Sequence, residues 1–170
     1  APRLPAVISH PSRKVNLAPD EFVAALADTI AQLAPPTEGL RLVGRRHLRS
    51  NNSWMHNLTK LATGRGRCAL WMHPDDAEAH KLTAGAVATV RSAAGEITAP
   101  IEITTRVRPG VVSLPHGWGH GQAGTRMQVA AAHPGSNYNQ LASAEQLDPL
   151  SGNAWLSGLP VEVSLCDEQP

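Results

Sequence analysis

Phenylalanine and tyrosine are nearly missing from this chain, one of each in 170 residues, so its core has to be built mainly from valine, leucine, isoleucine and alanine. The four tryptophans are then left for surfaces and sites, where an indole offers both an apolar face and an N–H. Cysteine is equally scarce. Cys68 and Cys166 show no CxxC spacing and lie in apolar, strand-like contexts, which reads as two isolated buried thiols and gives no support to a zinc or iron–sulfur site. No apolar run reaches the length of a membrane span and no signal peptide opens the chain, so direct membrane insertion is not expected. The first residue is Ala1 rather than Met, as in a piece of a longer polypeptide.

Charge is sparse and unevenly spread. With 42% hydrophobic and 17% charged residues the chain is neither disordered nor supercharged, and a net charge of +1 names no partner. None of the 14 acids, however, lies between Gly39 and Pro74 or between Ile103 and Ala144. Ten of the 15 basic residues do: Arg41, Arg45, Arg46, Arg49, Lys60, Arg65, Arg67, Arg106, Arg108 and Arg126. If the two segments meet in space they form a cationic, acid-free surface suited to phosphates or nucleic acid.

A proline-rich lead-in (1–17) is followed by an amphipathic helix that Pro19, Asp20 and Glu21 open. Phe22, Leu26, Ile30 and Leu33 recur along it at helical spacing, and Pro35 and Pro36 end it. From Leu40 the pattern becomes that of strands. "LRLVG" feeds a polar loop (45–57), and "CALWM" (68–72) reads as a buried strand. "HPDDAEAHKL" gives one short helix with Pro74 in its first turn and Asp75 and Asp76 at its positive end. "VATVRS", an "AAGE" turn and "ITAPIEIT" form a hairpin in which Ile97, Ala99, Ile101 and Ile103 alternate with Thr98, Pro100, Glu102 and Thr104. Pro100 places that strand at an edge or a bulge. "VVSLP", a long loop over 116–160 and "VEVSL" complete a mainly β chain, expected to close into a barrel with short helices and long polar loops.

Two loops carry the chemistry. "RSNNSWMHN" (49–57) runs arginine into small amides and hydroxyls and then an indole, the inventory of a diphosphate and sugar cradle. Arginine neutralises phosphate there, and Asn and Ser bond ribose hydroxyls or base edges. "PHGWGHG" (115–121) sets His116 and His120 four apart among glycines that let a backbone approach a ligand. As a zinc pair those histidines lack a third ligand and a regular helix, and a structural glycine turn is the plainer alternative. Asp76 and His80 in "HPDDAEAH" are explained by helix capping. "HPGSNYNQL" (133–141) adds Asn137 and Asn139. No GxSxG, P-loop, Rossmann fingerprint or HExxH occurs, so the chain is built to hold a large anionic ligand rather than to transform one. A nucleic-acid-binding barrel, with Trp54 and Trp118 as stacking platforms, is the alternative use of the same arginines.

Taken in order, "GRRHLRSNNSW", "WMHPDDAEAHKLTAGAVATVRSAAGEITAPIEITTRVRPGVVSLPHGWGH", "NYNQL" and "LDPLSGNAWLSGLPVEV" resemble the C-terminal molybdopterin-guanine-dinucleotide-binding domain of the dimethyl-sulfoxide-reductase superfamily, a group that includes formate dehydrogenases. The resemblance covers about 40–165. It implies a double-psi β-barrel over 39–170, with 1–38 as a connector from upstream catalytic domains of the same polypeptide. It also implies a molybdopterin guanine dinucleotide cofactor (Mo-bis-MGD). Arg45, His47, Arg49, Asn51 and Ser53 match the family's first cofactor loop. Met72 and His73 close the adjacent strand, His116, Gly117 and Trp118 match the loop approaching the dinucleotide, and Asn139 matches the asparagine of "NxL". The Mo or W ligand and any iron–sulfur cluster are expected in other domains, so the isolated domain, expected to be monomeric, is not expected to be catalytic. The parent is expected to be a cytoplasmic molybdenum or tungsten oxidoreductase with no nucleic-acid partner, its formate-dehydrogenase-like character resting on the "SLPHGWGH" stretch.

Overall fold

A computed structural model describes residues 3–31, 39–64 and 66–166. The chain divides into two compact units, one formed by 1–37 with 149–152 and the other by 38–148 with 153–170. In the first, α1 (Asp20–Ala31) begins where Asp20 and Glu21 meet the positive end of the helix dipole. Its apolar positions Phe22, Val23, Leu26 and Ile30 are all more than half exposed. Leu33, Pro35 and Pro36, the expected end of that helix, lie outside the described residues, as does Arg65.

The second unit is a closed six-stranded barrel of the double-psi type. Its strands are β1 (Leu40–Arg45), β2 (Leu70–Met72), β3 (Val87–Arg91), β4 (Glu96–Ile103), β5 (Val111–Pro115) and β6 (Ser157–Leu165), arranged β1-β5-β2-β4-β3-β6 around the barrel. Pairs β1/β5 and β2/β4 are parallel and the others antiparallel. Short helices α2 (Thr59–Ala62), α3 (Pro74–Ala79) and α4 (Gln128–Ala131) and a 3-10 turn at Tyr138–Leu141 decorate it. The last two lie inside what reads in the sequence as one long loop, because segments of four residues carry too little periodicity to register.

Alternation decides which side chains fill the barrel. Leu40 and Leu42 of β1, Leu70 and Met72 of β2, Ile97, Ala99 and Ile101 of β4, and Val112 and Leu114 of β5 point inward. Their outward neighbours Val43, Trp71, Glu102 and Ser113 form one band across the wall. The core is mainly aliphatic as expected, and its one fully buried aromatic among the described residues is the single tyrosine, Tyr138, 1% exposed. Its hydroxyl donates to the Leu156 carbonyl at 2.6 Å, which removes the cost of burying it.

Pro100 sits in β4, which lies between β3 and β2 and is not an edge strand. β2, however, pairs only with Ile101–Ile103, so at Pro100 that side of the strand has no partner. The Ile101 N–H turns the other way, donating to the Ala86 carbonyl at 2.9 Å, and the missing proline N–H therefore costs the ladder nothing.

Candidate functional site

Because β1 and β5 are parallel and in register from Arg41↔Val111 to Arg45↔Pro115, the chains that follow them leave the barrel at the same mouth. That places 46–57 and 116–120 side by side. The two loops are locked together. The His116 N–H donates to the Arg45 carbonyl at 3.1 Å, and the His116 ring occupies the space above Gly44, where an added Cβ would lie 2.0 Å from the imidazole. On its other side that ring packs on Tyr138, centroids 4.1 Å apart. Gly117, with φ +89°, comes so close to the Asn52 carbonyl that a Cβ would sit 2.0 Å from its oxygen.

The 46–57 loop strains its backbone to make this contact, since Asn51 (φ 41°) and Asn52 (φ 65°) are consecutive left-handed residues. Asparagine tolerates that region better than other side chains do. Arg46 donates to the Asn52 side-chain oxygen, and the Asn57 side-chain oxygen accepts from the Val129 and Ala130 N–H groups at 3.1 and 3.2 Å, tying the loop to the first turn of α4. The 133–139 segment joins as a third wall. Gly119 packs against Asn137, and Gly135 against Trp118 and Cys68.

Four histidines gather here: His47, His56, His116 and His120. Each has its pKa lowered, with burial as the leading cause; nearby arginines add to it at His47 (Arg45, Arg67) and His116 (Arg46), and His120 adds to it at His56. All four are therefore neutral at pH 7 and act as tautomer-dependent donors or acceptors. His56 Nδ1 and His120 Nε2 are 2.7 Å apart, and the His56 ring lies against Trp118 with centroids 4.0 Å apart. Burial also pulls the Arg45 guanidinium down to about 10, which leaves it charged at neutral pH.

Five buried side-chain polar atoms among the described residues have no hydrogen-bond partner: Arg45 Nε, His47 Nε2, Ser50 Oγ, His56 Nε2 and Trp118 Nε1. Every one belongs to these two loops or to the residue that opens the first. A buried polar atom left unpaired costs roughly 1–3 kcal/mol, so their concentration marks a place where a bound polar molecule completes the bonding. Several hollows adjoin them. One, of about 340 Å³, is lined by Met55, His56, Leu61, Cys68, Trp118 and Pro134 among others. A second, of about 420 Å³, runs down the outer flank of the barrel.

Of the residues singled out in the sequence, Arg45, His47, Arg49, Asn51, Ser53, His116, Gly117 and Trp118 are brought together at or beside this mouth. Arg45 is turned along the wall, donating to the Ser113 and Ala69 carbonyls, and its buried Nε is left without a partner. Met72 and His73 are elsewhere. β2 runs antiparallel to β5, with Trp71 opposite Ser113, so its C-terminal end lies beside the start of β5, away from His116. There Met72 is fully buried in the core and His73 caps α3, its Nδ1 accepting from the Asp75 N–H at 3.2 Å. Asn139 is exposed, its N–H donating to the Asn137 side chain at 3.0 Å, and it is Asn137 that touches the glycine loop. His56 and His120 were present in the quoted stretches but had no sequence signal for their pairing across 64 residues. His116 and His120 do not converge on one point, and no group of three or more His, Cys, Asp or Glu among the described residues is placed to hold a metal ion.

Residues 40–159 match the model of the molydopterin dinucleotide binding domain, and the chain belongs to that family. Its ligand is accordingly a molybdopterin-type cofactor. The chain is similar to a tetrathionate reductase polypeptide of Salmonella typhimurium, 28% identical in an alignment 109 residues long that covers 54% of this chain and 11% of that protein. Among solved structures it superposes on acetylene hydratase from Pelobacter acetylenicus with a TM-score of 0.69 at 23% identity, over 92% of this chain and 24% of that one. It thus spans between a tenth and a quarter of these relatives.

Proposed function

We propose that this chain is the cofactor-capping domain of a larger molybdenum or tungsten oxidoreductase, and that its 45–57 and 116–120 loops hold the diphosphate, sugar and pterin of a molybdopterin guanine dinucleotide. The single observation that carries the reading is the set of five buried, unpartnered polar atoms gathered where those loops meet. Arg49 and the Arg45 Nε supply positive donors, Ser50, Asn51 and Ser53 supply hydroxyls and amides, and His56 and Trp118 present ring nitrogens. When bound, the pterin carries the metal whose redox chemistry the whole enzyme uses. This chain's own part is to bind, orient and shield.

The remainder of the reading follows the sequence. A bis-dinucleotide cofactor, a metal ligand and any iron–sulfur cluster in other domains, a connector role for 1–38, a monomeric isolated domain and a cytoplasmic, formate-dehydrogenase-like parent all belong to the proposal. The family match and the near-neutral overall charge favour a cofactor over a nucleic-acid ligand.

Titrating the 170-residue chain with GDP while following backbone amide shifts tests the reading. The largest shifts are expected in 45–57, 116–120 and 137–139. Absence of shifts at millimolar nucleotide, or equal shifts from a random oligonucleotide that vanish steeply with salt, would overturn it.

A further inference from the structure

The flank hollow is made by residues that are far apart in the sequence. Outward alternation puts Trp71 of β2 and Glu102 of β4 side by side in the wall, and Arg45 reaches down to them from the end of β1. Arg106, from the turn after β4, reaches in from the opposite direction. The two guanidinium groups lie over the Trp71 indole, Arg45 at 4.1 Å and Arg106 at 5.3 Å from the ring centroid. Arg49, Arg67 and His47 complete the rim.

Charge and unused bonding capacity point the same way. Among the described residues, four guanidinium groups line the hollow beside one carboxylate, that of Glu102, an excess of three positive charges. Arg67 commits two nitrogens to the Leu61 and Thr63 carbonyls, at 3.0 and 3.2 Å. Among the described residues the side chains of Arg49 and Arg106 have no hydrogen bond or ion pair, while the buried Arg45 Nε and His47 Nε2 have no partner. Stacking on an indole is what makes Arg106 informative. A cation–π contact uses the face of the guanidinium and leaves its in-plane N–H donors open, so the group is held in place without its bonding capacity being consumed. A guanidinium that is positioned, charged and unbonded beside three others is suited to a planar or tetrahedral oxyanion gripped from several sides.

We propose that this flank cleft, with Arg106 held on Trp71 and Arg49, Arg67, His47 and the Arg45 Nε around it, is the diphosphate-binding site of the chain. The anion chemistry stands on the cleft itself, and its assignment to the dinucleotide rests on the cofactor-capping role proposed for the chain. Arg106 and Trp71 thereby join the binding residues although they lie outside both informative loops.

Calorimetric titration of the full chain with inorganic pyrophosphate, without divalent cations, tests this directly. One site is expected. Arg106→Gln and Trp71→Leu should each weaken it about tenfold, Arg106→Lys should recover only part of the loss because an ammonium lacks the planar fork, and Lys81→Gln, which removes the same charge at a residue that does not line the cleft, should leave it unchanged. GDP should displace the pyrophosphate. Equal losses in Arg106→Gln and Lys81→Gln, or no pyrophosphate binding, would overturn the cleft. GDP that binds at the loops with undiminished affinity in Arg106→Gln would overturn this proposal and leave the cofactor reading standing, whereas Arg106-dependent pyrophosphate binding that GDP cannot displace would keep the anion site and overturn its link to the nucleotide.

Discussion

His56 Nδ1 and His120 Nε2 lie 2.7 Å apart, one imidazole on each of the two loops that form the mouth. One nitrogen must carry the proton and the other the lone pair, so this bond joins the loops while the pair is not doubly protonated. Burial lowers both pKa values, and for His56 the charge of His120 adds to the effect. The unfolded chain takes up these protons near pH 6.5 and the folded chain resists them. Their stabilising contribution is therefore complete above about pH 6.5 and is lost as the pH falls through the lower folded-state values. Thermal unfolding followed from pH 7.5 to 5 should show a falling melting temperature, and His120→Gln, which can bond but not titrate, should flatten the fall. An unchanged slope in that variant would remove the pair from the explanation.

Gly117→Ala should be among the most damaging single changes in the chain. Its Cβ would meet the Asn52 carbonyl oxygen, which belongs to a backbone already in the left-handed region, and the residue itself has φ +89°. Left-handed strain and overpacking together predict a loss of about 2–4 kcal/mol in denaturant unfolding. A loss below about 0.5 kcal/mol would show that the two loops are not in contact there.

Tyr138 is the single tyrosine, so absorbance titration near 295 nm reports on it alone. Burial raises its pKa from 10 to about 12, and the folded protein should show no phenolate signal at pH 10.5. Because the unfolded chain loses that proton near pH 10, the contribution is present below that value and declines as the pH rises toward 12. Tyr138→Phe strips the Leu156 carbonyl of its donor and should cost about 1–2 kcal/mol.

Asp76 separates structure from chemistry. Its carboxylate accepts from the Gly110 N–H at 2.8 and 3.1 Å, fixing α3 to the turn before β5 at the end of the barrel that holds His73. Asp76→Ala should destabilise the fold by about 1–3 kcal/mol while GDP-induced amide shifts in the mouth persist. Loss of nucleotide binding in a variant still folded by circular dichroism would restore a functional role for the "HPDDAEAH" segment.

Much of the barrel was legible in the residues. The alternation of Ile97, Ala99 and Ile101 with Thr98, Pro100 and Glu102 fixed which face of β4 is buried, and Pro74 with Asp75 and Asp76 marked the start of α3. These are local effects, set by the two-residue period of a strand and by orphan N–H groups at a helix end. The loops were legible too, because glycines and paired asparagines in acid-free surroundings signal backbone that must approach something closely.

Direction and distance in space were not legible. Nothing in "CALWMH" states that β2 runs against β5, yet that single fact sends His73 to the other end of the barrel. Nor does spacing relate Trp71 to Arg106, or His56 to His120, since each pair meets only after non-local strands close the wall. Composition and periodicity determined a mainly β chain with two cationic, glycine- and asparagine-rich loops. The closure of the barrel decided which of their side chains face one another, because pairing partners and strand polarity are properties of the assembled sheet rather than of any one of its segments.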